Sequence, residues 1–179
     1  SAATVSFPDI ESAVQSVILT IQSGVPIARI ELLDEVQVDA INKYSGLDLP
    51  VQTFLFLEFH GTEEGVKEQS EMVGSICSEF GASDFTWTTK AEDRTKLWEA
   101  RHNAAYAARA LRPGASMWAT DVCVPISRLA DCIMQTKADL DKSNLIAPIV
   151  GHVGDGNFHL AFVLDMDNPD EIAEAEALN

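Results

Sequence analysis

The chain has 179 residues, 46% of them hydrophobic, which is ample for one packed globular domain. Its 12 basic and 28 acidic residues leave a formal charge of −16, so nucleic acid and anionic bilayers would repel it. No apolar run approaches the ~20 residues that cross a membrane, and Cys77, Cys123 and Cys132 form no Cys-x-x-Cys pair, which fits a reducing compartment better than a disulfide scaffold.

The sequence starts at Ser1 without a signal or transit pattern and reads as a piece of something longer. Ala3 to Phe7 is a short strand, and Pro8-Asp9 opens a helix with Ile10, Val14, Val17, Ile18 and Ile21 on one face, closed by Gly24. Ile27 to Leu33 alternates, with Ala28, Ile30 and Leu32 on one side and Arg29 and Glu31 on the other, the pattern of a sheet wet on one face. A short helix from about Asp34 to Tyr44 precedes an aromatic strand over Val51–His60. Thr62 then caps a helix with Val66, Val73, Ile76 and Phe80 inward, and Asp84 to Thr88 is a fourth strand. A helix is expected from about Ala91 to Leu111, a strand over Ser116–Val124 and a helix from Pro125 to about Lys142. Strands Leu145–His152 and Asn157–Asp165 flank Gly154-Asp155-Gly156, and Asn168-Pro169-Asp170 starts a final acidic helix. Several strand pairs are joined by turns too short for a parallel crossover. The fold class expected is therefore α+β, a ferredoxin-like sandwich whose mainly antiparallel sheet is covered by helices, with residues 1–179 as one domain.

The chemistry concentrates in Gly151-His152-Val153-Gly154-Asp155-Gly156-Asn157-Phe158-His159. With Asp155-Gly156 as a type I′ turn, His152 would lie opposite His159 and Val153 opposite Phe158. Opposed residues have Cβ atoms ~5 Å apart, so the imidazoles would hold half of a site for Zn or another divalent metal, or stand as two partly exposed histidines on a strand pair. The order Gly-x-x-Gly-x-Gly followed by a strand is not a dinucleotide loop, which needs a helix there. His60 is a strand-end histidine, and Cys77 is a packed thiol. Arg101 shares the apolar side of its helix with Leu97, Ala104, Ala105 and Ala108. A guanidinium there snorkels to water, pairs with a buried carboxylate, or receives an anionic ligand in two hydrogen bonds. His102 and Arg109 fall on other, solvated faces.

Ala28-Arg29-Ile30-Glu31-Leu32-Leu33-Asp34, Phe54-Leu55-Phe56-Leu57-Glu58-Phe59-His60-Gly61, Leu97-Trp98-Glu99-Ala100-Arg101, Thr120-Asp121-Val122-Cys123-Val124-Pro125 and the His-x-Gly-Asp-Gly-Asn-x-His run resemble, in that order, the C-terminal domain of FAD-linked oxidases of the vanillyl-alcohol oxidase type. The resemblance covers nearly the whole chain and is nearest to mitochondrial members acting on D-lactate. It implies the cap or substrate half of a flavoenzyme that oxidises a D-2-hydroxy acid to the 2-oxo acid, with hydride passing to FAD and electrons to an acceptor such as cytochrome c. Carried over residue by residue, His152 and His159 become ligands of a divalent metal, Zn or Mn, Arg101 a clamp for the substrate carboxylate, and Asn157 a residue facing substrate or flavin, beside its plain role as a turn amide. The metal would polarise the 2-hydroxyl while Arg101 fixes orientation. Relatives carry an FAD-binding domain before this segment, and after it a Gly-Glu-His-Gly run that completes the metal site and supplies a base. Neither is in this sequence, so the expectation is a cap-domain fragment that does not turn over alone. D-2-hydroxyglutarate and glycolate are the alternative substrates, and a free-standing ferredoxin-like metal- or ligand-binding module is the rival of another class.

Overall fold

The computed structural model describes residues 1–88 and 90–179. In chain order it has β1 (Ala2–Phe7), α1 (Ile10–Gln22), β2 (Arg29–Leu33), α2 (Glu35–Ser45), β3 (Thr53–Glu58), α3 (Glu63–Glu79), β4 (Thr86–Thr88), α4 (Ala91–His102), α5 (Ala104–Ala110), β5 (Ser116–Ala119), β6 (Val122–Cys123), α6 (Leu129–Leu140), β7 (Ile149–Gly151), β8 (Asn157–Leu164) and α7 (Pro169–Leu178). The eight strands form one sheet in the order β4-β1-β3-β2-β7-β8-β5, with β6 also pairing to β8. All pairings between these strands are antiparallel. The stretch β4-β1-β3-β2 is a ferredoxin-like unit with α2 inserted between β2 and β3, and β7, β8 and β5 extend it past β2. The α+β class with a mainly antiparallel sheet is thus as expected.

The helices start where their caps dictate. Asp9 Oδ1 accepts from the Ser12 N–H at 2.7 Å, Asp34 Oδ1 from Gln37 N–H at 2.9 Å, and Thr62 Oγ1 from Gly65 N–H at 3.1 Å. Side-chain alternation along the strands then sends residues to two cores. Ile30, Leu32, Leu55 and Leu57 pack with Val14 and Val17 of α1, Val73 of α3 and Ile133 of α6. Leu33, Phe54, Phe56 and Val150 pack on the other face with Val38 and Ile41 of α2, Leu97 of α4 and Ala107 of α5. Both faces of the sheet are therefore covered, and this corrects the expectation of a wet face at Glu31, which is buried under the second helix layer.

Three expected elements change shape. The helix over 91–111 breaks at Asn103, a weak helix former, and α5 turns to pack its small residues against α2. The strand over 116–124 divides because Thr120 turns its hydroxyl to accept from Leu160 N–H at 2.9 Å. The type I′ turn at Asp155-Gly156 is absent, since that turn requires positive φ at both central residues and only Gly156, at 76°, has it. Val153–Asp155 form instead a single 3-10 turn, and the β7–β8 register sets Val150, not His152, opposite His159.

Asp34 occupies the joint between the layers. Its Oδ2 is buried with no hydrogen-bond partner among the described residues, and Lys137 Nζ of α6 lies 3.7 Å from it and 2.7 Å from Glu35 Oε1. Burial outweighs the Gln37 N–H and the Lys137 charge and lifts the Asp34 carboxyl from 3.8 to about 7. A carboxyl whose folded pKa is raised favours the fold while protonated, and this contribution is lost as pH rises through the folded value. Asp34→Asn keeps the capping oxygen, so its stability relative to the wild type should climb between pH 3.8 and about 7 and then level off, with a limiting slope of roughly 1.4 kcal/mol per pH unit. Denaturant titrations of both proteins across that range check this; curves that stay parallel would refute it.

Candidate functional site

The site is assembled around Glu31, an interior residue of β2. Its side chain is 2% exposed. A carboxylate so placed needs partners that replace water, and α4 delivers one. Arg101 reaches down from the last turn of α4 and donates through Nε at 3.0 Å and Nη2 at 2.7 Å, both to Glu31 Oε2. Of the alternatives open for this guanidinium, pairing with a buried carboxylate is therefore realised, and its side chain is 14% exposed. The other oxygen, Oε1, lies 2.6 Å from His152 Nδ1.

His152 follows β7 directly, and the 3-10 turn after it leads into β8, which carries His159. Although the register differs from the one expected, the imidazoles meet: their centroids are 6.4 Å apart and the rings nearly perpendicular at 88°. Each ring is tied down at Nδ1. His152 Nδ1 faces the Glu31 carboxylate, and His159 Nδ1 lies 2.8 Å from the Thr120 carbonyl oxygen. Both partners are acceptors, so Nδ1 carries the proton, and in the neutral ring Nε2 keeps its lone pair. Such outer hydrogen bonds are the usual way of orienting a metal-ligating histidine.

Arg101, His152 and His159 line one cavity of about 280 Å³, together with Gln37, His102 and the small apolar side chains of Ala104, Ala105, Ala119, Val150 and Ala161. A second cavity of about 620 Å³ adjoins it through His102 and His152 and includes Glu31 and Arg29. Asn157 is not among the lining residues of either. Its Nδ2 donates to Asp121 Oδ1 at 2.9 Å and to the Val122 carbonyl at 3.1 Å, bracing the crossing from which Thr120 offers its carbonyl to His159. Among the described residues no group of three or more His, Cys, Asp and Glu is disposed to hold a metal, so the histidines form a two-donor set.

Sequence reasoning missed Glu31, Gln37 and His102. The signal for Glu31 was Leu33, which lies on the same side of β2 and made that face too apolar to be wet; a second was Arg101 itself, which needed a counter-charge. Gln37 is fully buried, with Nε2 donating to the Ala104 carbonyl at 3.1 Å and Oε1 unpartnered among the described residues. His102, expected on a solvated face, is exposed but forms part of the wall of both cavities. No described helix is long and apolar enough to cross a membrane.

A family described as FAD linked oxidases, C-terminal domain, matches residues 1–179. The chain is 52% identical over 170 residues to a probable mitochondrial D-lactate dehydrogenase of Danio rerio, which covers 95% of this chain and 34% of the relative. It is 41% identical over 177 residues to the mitochondrial D-lactate dehydrogenase [cytochrome] of Arabidopsis thaliana, covering 99% and 31%. The chain thus spans about a third of the length of these curated relatives. Among solved structures, alkyldihydroxyacetonephosphate synthase matches with a TM-score of 0.67 at 15% identity, over 99% of this chain and 38% of that one. The 4-ethylphenol oxidase of Gulosibacter chungangensis matches with a TM-score of 0.66 at 14% identity, over 99% and 42%. These structures share the fold.

The histidine geometry depends on a close approach at Gly151. A Cβ there would lie 2.5 Å from the Asn157 carbonyl oxygen and 2.5 Å from Phe158 Cα, both backbone atoms of β8. Gly151→Ala should force the strands apart, costing about 1–3 kcal/mol and displacing the imidazole resonances of His152 and His159. Thermal unfolding and histidine NMR of the variant measure this, and an unchanged melting temperature with unchanged resonances would count against it.

Proposed function

The chain belongs to the FAD linked oxidases, C-terminal domain, family, and from that membership we propose that it is the substrate- and metal-binding part of a mitochondrial FAD-dependent D-lactate dehydrogenase, oxidising D-lactate to pyruvate. One observation carries this reading: Arg101 and two imidazoles, each held at Nδ1 by an acceptor, line a single small cavity. In it Arg101 binds the substrate carboxylate. Glu31 occupies Nε and Nη2 through one oxygen, and Nη1 has no hydrogen bond among the described residues, so part of the guanidinium fork remains for a ligand.

His152 and His159 fit a first-row divalent ion such as Zn or Mn as a two-donor share, because neutral imidazole nitrogen with an oriented Nδ1–H is a suitable ligand. When bound, the metal supplies positive charge and Lewis acidity at the substrate's 2-hydroxyl. That charge matters here because Glu31 balances Arg101, leaving the four groups without net positive charge while both imidazoles are neutral. FAD, when bound, supplies the hydride acceptor. Asn157 contributes by holding the Asp121–Val122 crossing and through it the acceptor of His159.

The lining supports a short aliphatic monoacid. Among the described residues that line it Arg101 is the one with a guanidinium or ammonium group, and the remaining wall is largely Ala, Val and Met. A dicarboxylic acid such as D-2-hydroxyglutarate would have to extend its second carboxylate into the adjoining cavity that Arg29 lines, while glycolate would leave the apolar wall unfilled. The formal charge of −16 supports docking to a basic electron acceptor of the cytochrome c type.

Two measurements on the full-length enzyme test these statements. Arg101→Lys should raise KM for D-lactate and lower kcat/KM by about ten- to a hundred-fold, since an ammonium can neither keep the Glu31 contacts nor offer a planar fork. Unchanged kinetics, or a kcat/KM for glycolate or D-2-hydroxyglutarate above that for D-lactate, would remove the proposed substrate role. Reduction of cytochrome c should slow as ionic strength rises; a rate independent of salt would argue against electrostatic docking.

A further inference from the structure

Glu31 has a role beyond filling the second core. Its neighbours on β2, Ile30 and Leu32, pack into the first core, and Leu33 on its own side packs into the second. An apolar side chain would suit the same place. A buried ion pair is commonly no more stabilising than well-packed apolar residues of similar volume, so the carboxylate is poorly explained as a stability device.

The use of its oxygens is informative. Oε2 accepts both Nε and Nη2 of Arg101, and Oε1 is engaged by His152 Nδ1 at 2.6 Å. One rigidly held group thus meets two of the cavity's side chains, which come from different elements. What remains unbonded among the described residues is Nη1 of the guanidinium and Nε2 of the imidazole. His159 has no share in Glu31, because its Nδ1 faces the Thr120 carbonyl. The two histidines are therefore oriented independently, one by a charged side chain and one by the backbone.

Resting on the substrate and metal roles proposed above, we infer that Glu31 is a positioning residue: a single buried carboxylate that fixes the tautomer of His152 and aims the guanidinium of Arg101, so that both present their free nitrogens to one bound hydroxy acid and its metal. An amide in its place cannot do both. The Gln oxygen can serve Arg101 or His152, and the Gln nitrogen, facing Nδ1, would donate to it and move the ring proton to Nε2, where it blocks a metal.

The test uses Glu31→Gln in the 179-residue chain with ¹⁵N-labelled histidine, at one fixed alkaline pH. In the wild type His152 should show a protonated Nδ1 and a bare Nε2. In the variant the proton should shift toward Nε2 while the His159 signals stay in place, and affinity for Zn(II) alone should fall about ten- to a hundred-fold. In the full-length enzyme the same substitution should raise KM for D-lactate. An unaltered His152 tautomer in the folded variant overturns the inference. The tautomer needs no metal to be read, so the two readings fail separately: a wild-type chain that takes up no Zn(II) refutes the metal proposal, while a tautomer switch in Glu31→Gln still upholds the positioning role. If Glu31→Gln unfolds because Arg101 is left unpaired, the double variant Glu31→Gln with Arg101→Met removes the buried cation as well, and the His152 tautomer is read there against Arg101→Met alone.

Discussion

A carboxylate at an interior position of a buried strand cannot keep its charge without donors, and the rest of this site follows from how Glu31 obtains them. Its partners are far away in sequence, Arg101 at a separation of 70 residues and His152 at 121. Satisfying the oxygens therefore ties the last turn of α4 and the turn before β8 to the middle of β2. The arrangement suits α4 as well, since a basic residue in its last turn offsets the partial negative charge of the helix C-terminus. Breaking the helix at Asn103 then lets α5 pack on α2 and close one wall of the cavity.

The second constraint is close backbone approach. Gly151 lies against the start of β8, and Gly156, at a φ of 76°, is placed where a side chain would run into the Val124 carbonyl. Val124 N–H donates to the Gly156 carbonyl at 3.0 Å, so the segment after β6 is held directly over the turn. These contacts allow a 3-10 turn to replace a two-residue hairpin loop. The turn brings His152 next to His159 although the ladder sets Val150 opposite His159. Proximity of the two rings is thus a product of the turn and not of cross-strand pairing.

This explains what could be read from the sequence. Periodicity and caps located the elements, because Asp9, Asp34 and Thr62 stand immediately before apolar stripes and their side chains do cap those helices. That His152 and His159 meet was legible from their places on either side of the turn, whereas Arg101 was linked to them only by the family resemblance. The turn geometry was not, since Asp155-Gly156 has the composition of a type I′ turn and only tertiary contacts at Gly156 and Gly151 decide against it. Glu31 was misplaced for a related reason. Alternation along β2 shows which residues share a face, but whether that face is wet depends on α2, α4 and α5, which arrive from elsewhere in the chain.

The pairing of Arg101 with Glu31 is compatible with ligand binding because of what a guanidinium is. It has five N–H donors in a fixed plane, and one carboxylate oxygen here engages Nε and Nη2 along one edge. The plane is thereby immobilised before any ligand arrives, which reduces the rotamer entropy lost on binding. The cost is electrostatic, because the neighbouring carboxylate cancels the attraction that an unpaired arginine would exert on an anion. Selection at such a site rests on matching the direction of hydrogen bonds more than on net charge, because Glu31 already balances Arg101. The two imidazoles beside it are oriented in the same way, each fixed at Nδ1 by an acceptor before any ligand arrives.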